Sequence, residues 1–458
     1  MDIRRERSFI VTLPGDIKDL EENMSLNDKT KLTADCAAAG VCLPMADTLD
    51  ALRQPLALGG PTAPNRLAVQ PMEGADGKAD GSPDELTLRR YRRFAQGGAG
   101  LLWAEAIAVR EDGRANPRHL WLHEGNLDAY KVMVEDIRRA AGQPVVLIAQ
   151  LTHAGRYSKP WGTPRPVIAY NNPHYEIEPL PQACIISDDE LKRLEDDFER
   201  AAALAFDAGF DGVDIKACHR YLFCELLSAF HRPGAYGGSF ENRTAMLRNC
   251  VARARSVCPT GRLVTSRLNL YDGVPNPFGW GQDAQDYIQT DLTEPLALIG
   301  ELHRGGMQLL NVTMGNPYVN PHVNRPYKRG GYTPPERPLQ GVARILGGAA
   351  AVQRAYPELA VLASGLSYLG EAADVVAAGL VEQGGASMAG FGRLAFAYPD
   401  FARDVVKGDG FQKAKSCLAC TKCTELMRAG TTTGCPVRDQ QVYLPLYRKH
   451  VLKQEADV

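Results

Sequence analysis

The sequence predicts an α/β protein whose main part is a (β/α)8 TIM barrel, and three observations support this fold class. Short β-rich apolar runs recur along the chain, helical segments lie between them, and there are eight such runs. This alternation is typical of parallel strands joined by helical crossovers. Eight strands favour a closed barrel over an open doubly wound sheet. The predicted strands cover residues 66–70, 100–105, 145–150, 212–216, 263–268, 309–313, 360–363 and 385–388.

The clearest of the predicted helices covers residues 187–209. Ser187 and Glu190 have the spacing of a capping box at its start, and Gly209 is a typical helix end. Residues 370–380 form a second predicted helix, just before the eighth strand. The first helix carries an apolar stripe at helical spacing, made of Leu191, Leu194, Phe198, Ala202 and Phe206.

The pattern divides the chain into an N-terminal extension (1–50), a barrel (51–408) and a C-terminal segment rich in cysteine (409–458). The extension has no clear period, and it could pack on the barrel or on a partner. Between the sixth and seventh strands, residues 317–338 contain six prolines together with Tyr318, Tyr327 and Tyr332. A connection of this length is usually functional, so we predict that it covers a substrate site.

The composition is that of an ordinary globular protein, with 45% hydrophobic and 23% charged residues and a formal net charge of −2. This charge gives no reason to expect a nucleic acid or a membrane surface as partner, so a small molecule is expected. The apolar run before Pro14 is too short for a signal peptide, and no run reaches the ~18 residues of a membrane helix. We therefore expect a cytoplasmic location.

Four of the eleven cysteines, Cys417, Cys420, Cys423 and Cys435, lie within 19 residues. The two-residue spacings allow three thiolates to approach one inorganic centre, and the fourth would arrive from a following loop. Soft thiolates followed by Pro436 favour an iron–sulfur cluster. A structural zinc site is the alternative, since four cysteines can also surround one zinc ion.

Polar residues follow several predicted strands at the end where barrel enzymes carry their reactive groups. Glycines and an arginine follow the last two strands, where a phosphate would find backbone N–H groups, a nearby helix N-terminus and a guanidinium. The residues at strand ends are Gln150, Lys216, His219, Tyr221, Arg267, Gly365, Gly392 and Arg393.

Two of these regions resemble the signatures of the Old Yellow Enzyme (NADH:flavin oxidoreductase) family. Residues 150–157 read QLTHAGRY, and residues 208–243 read AGFDGVDIKACHRYLFCELLSAFHRPGAYGGSFENR. The resemblance extends over about residues 51–405 and implies bound FMN. By this resemblance, Gln150 would contact the flavin pyrimidine, Arg267 would stabilise the reduced flavin, and Gly365, Gly392 and Arg393 would bind the phosphate. Pro71, Met72, Glu73, Gly74 and Ala75 would lie along the flavin ring.

The resemblance also implies catalytic roles for Tyr221, His219 and Lys216. Tyr221 matches the family's proton donor. Lys216 and His219 occupy the positions of the pair that grips a substrate carbonyl, where the family usually has His/Asn or His/His. Lys216 differs from the residue that the family usually has at this position. It could polarise the substrate carbonyl, or it could turn away to a neighbouring acid and leave His219 as the only residue that binds the carbonyl.

The cysteine spacing resembles the iron–sulfur branch of the family, represented by the N-terminal part of 2,4-dienoyl-CoA reductase and by trimethylamine dehydrogenase. Those relatives continue into dinucleotide-binding domains, whereas no Gly-x-Gly-x-x-Gly follows a strand here. We therefore expect a [4Fe-4S] cluster fed by a separate ferredoxin or flavoprotein, with NAD(P)H as an indirect donor, unless NAD(P)H reduces FMN directly. A homo-oligomer is compatible with the sequence.

The expected activity is reduction of the C=C bond of an α,β-unsaturated carbonyl compound, such as an enone, a steroid-like enone or an enoyl thioester. Hydride would come from FMN and the proton from Tyr221. Two alternatives stay open. One is an amine or other dehydrogenase that passes electrons from FMN to the cluster. The other is an electron-transfer subunit whose barrel has lost catalysis.

Overall fold

A computed structural model of the protein describes residues 29–454. Eight parallel strands form a closed barrel in which each strand pairs with its neighbours in the chain and the last pairs with the first. The predicted (β/α)8 barrel is therefore confirmed. Its strands are β1 (Leu67–Val69), β2 (Leu101–Ala108), β3 (Val146–Thr152), β4 (Gly212–Ile215), β5 (Leu263–Asn269), β6 (Leu309–Thr313), β7 (Ala360–Ala363) and β8 (Met388–Phe391).

Helices cover the outside of the barrel, and a short antiparallel hairpin, Leu56–Ala57 with Thr62–Ala63, precedes β1. Short 3₁₀ turns join some of the elements. In chain order the helices are α1 (Lys29–Ala39), α2 (Asp50–Arg53), α3 (Glu85–Gln96), α4 (Leu127–Ala141), α5 (Asp188–Asp207), α6 (Leu222–Leu227), α7 (Phe240–Ser256), α8 (Thr293–Arg304), α9 (Pro321–Asn324), α10 (Pro338–Ala355), α11 (Ala373–Glu382), α12 (Arg393–Ala397), α13 (Phe401–Lys407), α14 (Lys422–Arg428) and α15 (Gln440–His450).

The predicted elements match those of the structure, with bounds that differ by up to three residues. The Ser187 hydroxyl accepts a hydrogen bond from the Glu190 amide and caps α5, as its sequence predicts. The eighth strand was expected at 385–388 but begins at Met388. The reason lies in Gly385, whose amide donates to Leu380 O at 2.8 Å and so belongs to the turn that ends α11.

Apolar side chains pack on both faces of the barrel sheet. One layer fills the barrel interior at the N-terminal end of the strands and includes Trp103, Ile148 and Met388, with Leu58 from the hairpin beneath them. The other lies between the strands and the outer helices and includes Phe198 from α5. The C-terminal mouth of the barrel therefore stands on a packed, water-free base, which can hold polar side chains in fixed positions.

The described part of the N-terminal extension packs on the barrel. Leu32 and Cys36 of α1 are buried, and the Ala46 amide donates to Val375 O of α11 at 3.0 Å. The prediction for residues 1–28 lies outside the described residues.

The cysteine-rich C-terminal segment folds back over the mouth of the barrel. The Thr433 amide donates to Gly74 O at 2.7 Å, in the loop after β1. Asp439 accepts hydrogen bonds from Arg89 and Arg93 of α3. Within residues 29–454, no helix is both long enough and apolar enough to cross a membrane.

Candidate active site

Three side chains from two strand ends meet at the barrel mouth. Glu73 follows β1, Lys216 follows β4, and Tyr221 directly precedes α6. The Tyr221 hydroxyl donates to Glu73 Oε1 at 2.6 Å, and Lys216 Nζ lies 3.4 Å from the same oxygen. Lys216 Nζ also lies 3.7 Å from the centre of the Tyr221 ring. Lys216 has thus engaged an acid, and that acid is Glu73.

The charges in this group are balanced. Burial alone would raise the pKa of Glu73, but the charges of Lys216 and His119 and the hydrogen bond from Tyr221 bring it below its ordinary value. Glu73 is therefore a carboxylate, and Lys216 supplies its counter-charge. Burial and the adjacent negative charge of Glu73 raise the pKa of Tyr221 well above its ordinary value. Tyr221 consequently stays protonated at neutral pH.

His219 is held in an unusual backbone conformation at the same mouth. His219 and Arg220 both have left-handed φ angles, of 61° and 58°. Arg220 is fixed by hydrogen bonds to Ser228 at 2.6 Å and Asp272 at 3.2 Å, so the surrounding structure maintains this turn. Burial and the charge of Arg267 lower the pKa of His219 well below its ordinary value.

The Nε2 atom of His219 is buried and has no hydrogen-bond partner among the described residues. A neutral imidazole with a free nitrogen can donate one hydrogen bond to a ligand oxygen. The charge of Lys216, which contacts the Tyr221 ring, also acts on His219, so both residues lie near Lys216 at the barrel mouth.

Aromatic rings form one wall of the site. Tyr318, from the proline-rich loop after β6, stacks on Tyr157 with 3.7 Å between the ring centres. The Tyr157 ring centre lies 6.1 Å from that of Tyr221. The loop therefore does place an aromatic residue over the mouth, but the partner of Tyr318 could not be predicted from the sequence.

Polar residues inside the barrel form the floor. Gln150 Nε2 donates to Asp214 Oδ2 at 2.6 Å, and the Arg267 amide donates to Asp214 Oδ1 at 2.6 Å. Trp103 Nε1 is a third donor, at 2.7 Å. Burial raises the pKa of Asp214 to about 6. Asp214 was absent from the predicted site, although it fixes the amide orientation of Gln150.

The loop after β1 touches the floor and the neighbouring loops. Arg267 Nη1 donates to Pro71 O at 3.4 Å, and the Gly74 amide donates to Glu105 at 2.6 Å. Ala75 has a left-handed φ of 51°. A Cβ atom at Gly392 would stand 2.8 Å from Met72 Sδ, so the loops after β1 and β8 pack closely here.

Gly365 and Arg393 lie at the ends of β7 and β8. Gly365 has a left-handed φ of 87°. Arg393 is buried: its Nη2 donates to Pro326 O at 2.8 Å, while its Nη1 has no partner among the described residues. A buried guanidinium with a free donor suits an anion such as a phosphate.

Two further arginines lie near Arg393. Arg325 Nη1 donates to Thr424 Oγ1 at 2.7 Å, and Arg428 donates to Pro317 O at 3.3 Å, so both hydrogen bonds end on uncharged oxygens. Burial and the charges of Arg393 and Arg428 lower the pKa of Arg325 to about 10. This group of arginines could not be predicted from the sequence because its members come from distant segments.

The four cysteines line one cavity, together with Arg393 and Lys422. Burial and the nearby sulfur atoms raise the pKa of the thiols of Cys420, Cys423 and Cys435. The Ala419 amide donates to Cys417 Sγ and the Arg438 amide to Cys435 Sγ, both at 3.4 Å. Among residues 29–454, no three histidine, cysteine or acidic side chains are close enough to share a single metal ion.

The comparison with known families decides the relationship. The family model described as "NADH:flavin oxidoreductase / NADH oxidase family" matches residues 51–294. The chain belongs to this family. An NADH:flavin oxidoreductase of Gibberella zeae is 29% identical over 284 residues, which are 57% of this chain and 66% of that protein. An NADPH dehydrogenase of Bacillus pumilus is 31% identical over 272 residues, which are 58% of this chain and 73% of the relative.

Several solved structures share the fold. The 2-naphthoyl-CoA reductase complex with 2-naphthoyl-CoA superposes with a TM-score of 0.70 and 18% identity, over 85% of this chain and 57% of that chain. The Old Yellow Enzyme homologue from Zymomonas mobilis superposes with a TM-score of 0.60 and 22% identity, over 79% of this chain and 94% of that chain. Histamine dehydrogenase from Rhizobium sp. 4-9 superposes with a TM-score of 0.65 and 17% identity, over 85% of this chain and 52% of that chain. This chain thus spans little more than half the length of two of these proteins.

Proposed function

We propose that the protein is an FMN-dependent ene-reductase that reduces the C=C bond of an α,β-unsaturated carbonyl compound. The main support is that Tyr221, a protonated phenol, contacts Glu73 in the loop after β1, and that His219, with its free Nε2, lies near the same Lys216. When bound, FMN supplies the hydride. His219 donates a hydrogen bond to the substrate carbonyl, and Tyr221 gives its proton to the α-carbon. Lys216, paired with Glu73, does not need to contact the carbonyl.

The residues at the mouth fit FMN. Gln150, fixed by Asp214, would meet the pyrimidine edge, and buried Arg267 would balance negative charge on the reduced ring. Met72 and the neighbouring Pro71, Glu73, Gly74 and Ala75 would lie along the flavin. The free Nη1 of Arg393, with Gly365 and Gly392, would hold the phosphate.

Replacing Tyr221 with phenylalanine tests the central role. FMN is first reduced anaerobically by dithionite. We expect 2-cyclohexen-1-one to reoxidise the flavin of Tyr221→Phe about 10² to 10⁴ times more slowly than that of the wild type, because general acid catalysis accelerates reactions by factors in this range. Stopped-flow absorbance measures the rate. Tyr287→Phe, at an exposed tyrosine, is the matched control. Equal rates for wild type and Tyr221→Phe would disprove the assignment.

We further propose that Cys417, Cys420, Cys423 and Cys435 hold a [4Fe-4S] cluster that receives electrons from a separate donor protein. The support is that all four line one cavity and that two of the sulfurs accept backbone hydrogen bonds. An anaerobic absorption spectrum with metal and flavin analysis tests this. We expect about four irons per chain, lost in Cys420→Ser but kept in Cys42→Ser. One zinc in place of iron would contradict the proposal.

Amine oxidation is the second candidate function. Tyrosine rings beside the Glu73 carboxylate would suit a cationic substrate, because aromatic faces attract ammonium groups. It ranks second because Lys216 already neutralises Glu73. Anaerobic mixing of the oxidised protein with histamine or trimethylamine separates the two: bleaching of the flavin by an amine, and no reoxidation by an enone, would favour the dehydrogenase. A purified protein that retained no FMN would instead indicate a non-catalytic subunit.

A further inference from the structure

The position of Lys216 raises the question of how Tyr221 regains its proton. Tyr221 is 2% exposed, and the stacked pair Tyr157 and Tyr318 stands beside it. Once the phenol has given its proton to carbon, water has little access to the phenolate. The proton must therefore come from a neighbouring side chain.

Glu73 makes the phenolate unstable. Its carboxylate oxygen lies 2.6 Å from the Tyr221 oxygen, so two negative charges would stand in contact after the proton has left. A cationic acid that can relieve this repulsion is the ammonium group of Lys216. It lies 3.4 Å from the same carboxylate oxygen and 3.7 Å from the phenol ring centre.

We propose that Glu73 and Lys216 form a proton relay that restores Tyr221 after each turnover, an inference that rests on the ene-reductase function proposed above. An N–H bond of the Lys216 ammonium breaks, and its proton passes along the Glu73 carboxylate to the Tyr221 oxygen, where an O–H bond forms. The products are neutral phenol and neutral lysine amine. The amine regains its proton from solvent through Glu73, whose side chain is 19% exposed, and no electrons move in these steps.

Other charged or titratable groups face this trio from the surrounding elements. They are His119 from the loop after β2, Tyr157 after β3, His219 and Cys218 after β4, Arg267 on β5, and Tyr318 in the loop after β6. Tyr318 hydrogen-bonds Tyr221 directly, but burial and the charge of Glu73 raise the pKa of Tyr318, so it is a poor proton donor. Lys216, by contrast, is a cation that is hydrogen-bonded to Glu73 and in contact with the Tyr221 ring. This double contact singles out Lys216 as the donor.

Lys216→Arg separates charge from proton supply, because arginine keeps the positive charge beside Glu73 but does not release its proton. In the reduced holoenzyme, Tyr221 starts protonated. We therefore expect Lys216→Arg to keep the single-turnover reoxidation rate with 2-cyclohexen-1-one within about threefold of the wild type, and to lower the steady-state rate with dithionite by about 10²-fold. Lys159→Met, at an exposed lysine, should match the wild type in both.

Lys216→Ala adds a rescue experiment. Ethylammonium can enter the space left by the side chain and act as a proton source. We expect it to raise the steady-state rate of Lys216→Ala in proportion to its concentration, with no effect on Lys216→Arg. An unchanged steady-state rate in Lys216→Arg would overturn the relay. If Tyr221→Phe were also as fast as the wild type, the proposed function would fail as well.

A titration without substrate tests the electrostatic part independently. Glu73→Gln removes the negative charge beside Tyr221, so Tyr221 should ionise at lower pH. Absorbance near 295 nm measures tyrosinate. The titration curve of Tyr221 is obtained by subtracting the curve of Glu73→Gln/Tyr221→Phe from that of Glu73→Gln. The corresponding curve with Glu73 intact is that of the wild type minus that of Tyr221→Phe. An identical midpoint in both backgrounds would overturn the relay even if no enone reoxidised the flavin.

Discussion

Arg325 is a cation near Arg393 and Arg428, and its hydrogen bond goes to the uncharged Thr424 hydroxyl. Like charges in a protected site are unfavourable unless an anion binds between them. We expect Arg325→Gln to weaken FMN binding about 10- to 100-fold, the effect of losing about 1.5 to 3 kcal/mol of charge-assisted hydrogen bonding. Fluorescence titration of the apoprotein measures the affinity.

Riboflavin, which lacks the phosphate, is the matched ligand for this experiment. Its affinity should stay the same in Arg325→Gln, because the arginine would act on the phosphate and not on the ring. Arg329→Gln, in the same loop, is the control variant. An equal loss of FMN and riboflavin affinity would show that Arg325 only supports the fold of the loop.

The pairing of Lys216 shows where prediction from the sequence stops at single residues. The motif around residues 208–243 marks Lys216 as a departure from the family pattern, and a neighbouring acid was one of two alternatives. The identity of the acid could not be predicted, because Glu73 is 143 positions away and the two meet only when the barrel closes. Arg325 and Asp214 were missed for the same reason.

At the level of elements, the attachment of the C-terminal segment depends on Asp439. Its carboxylate accepts from Arg89 at 2.8 Å and from Arg93, both on α3. Because the arginines are about one third exposed, the contribution is only about 1 kcal/mol. We expect Asp439→Asn to leave barrel unfolding nearly unchanged, and the iron of the proposed cluster to pass to a chelator several times faster. Absorbance of the iron–chelator complex follows the rate.

Asp409→Asn, at an exposed aspartate in the same segment, should release iron at the wild-type rate. A wild-type rate in Asp439→Asn would mean that other contacts, such as the Thr433 amide with Gly74 O, hold the segment by themselves.

Most elements were predictable because their signals are local. The Ser187 cap and the apolar stripe define α5 without reference to the rest of the chain. The start of β8 was wrong by three residues, since Gly385 has a turn role that depends on Leu380 of the preceding helix. The course of the proline-rich loop was not predictable, because the stacking of Tyr318 on Tyr157 is a tertiary contact.

For the whole molecule, Asp214 gives stability a specific pH dependence. Burial raises the pKa of Asp214 to about 6 in the folded protein, against about 3.9 in an unfolded chain. The folded state therefore holds this proton to higher pH than the unfolded state does. The contribution of Asp214 to the free energy of unfolding should fall by ~3 kcal/mol as the pH rises from about 4 to about 6.

Urea unfolding of wild type and Asp214→Asn across this range measures the effect. Asp214→Asn cannot titrate, so its free energy of unfolding should fall less with rising pH than that of the wild type. Asp128→Asn, at a fully exposed aspartate, should behave as the wild type. Equal pH slopes for wild type and Asp214→Asn would contradict the assignment.

The hydrogen bonds from Thr433 to Gly74 and from Thr432 to Asp76 have a consequence for how the protein is made. Residues 74–76 leave the ribosome early, whereas their partners are synthesised more than 350 positions later. A nascent barrel can close its strands before those partners exist, but its first loop stays incomplete. We therefore expect flavin uptake to be one of the last events in biogenesis, after translation of the cysteine-rich segment.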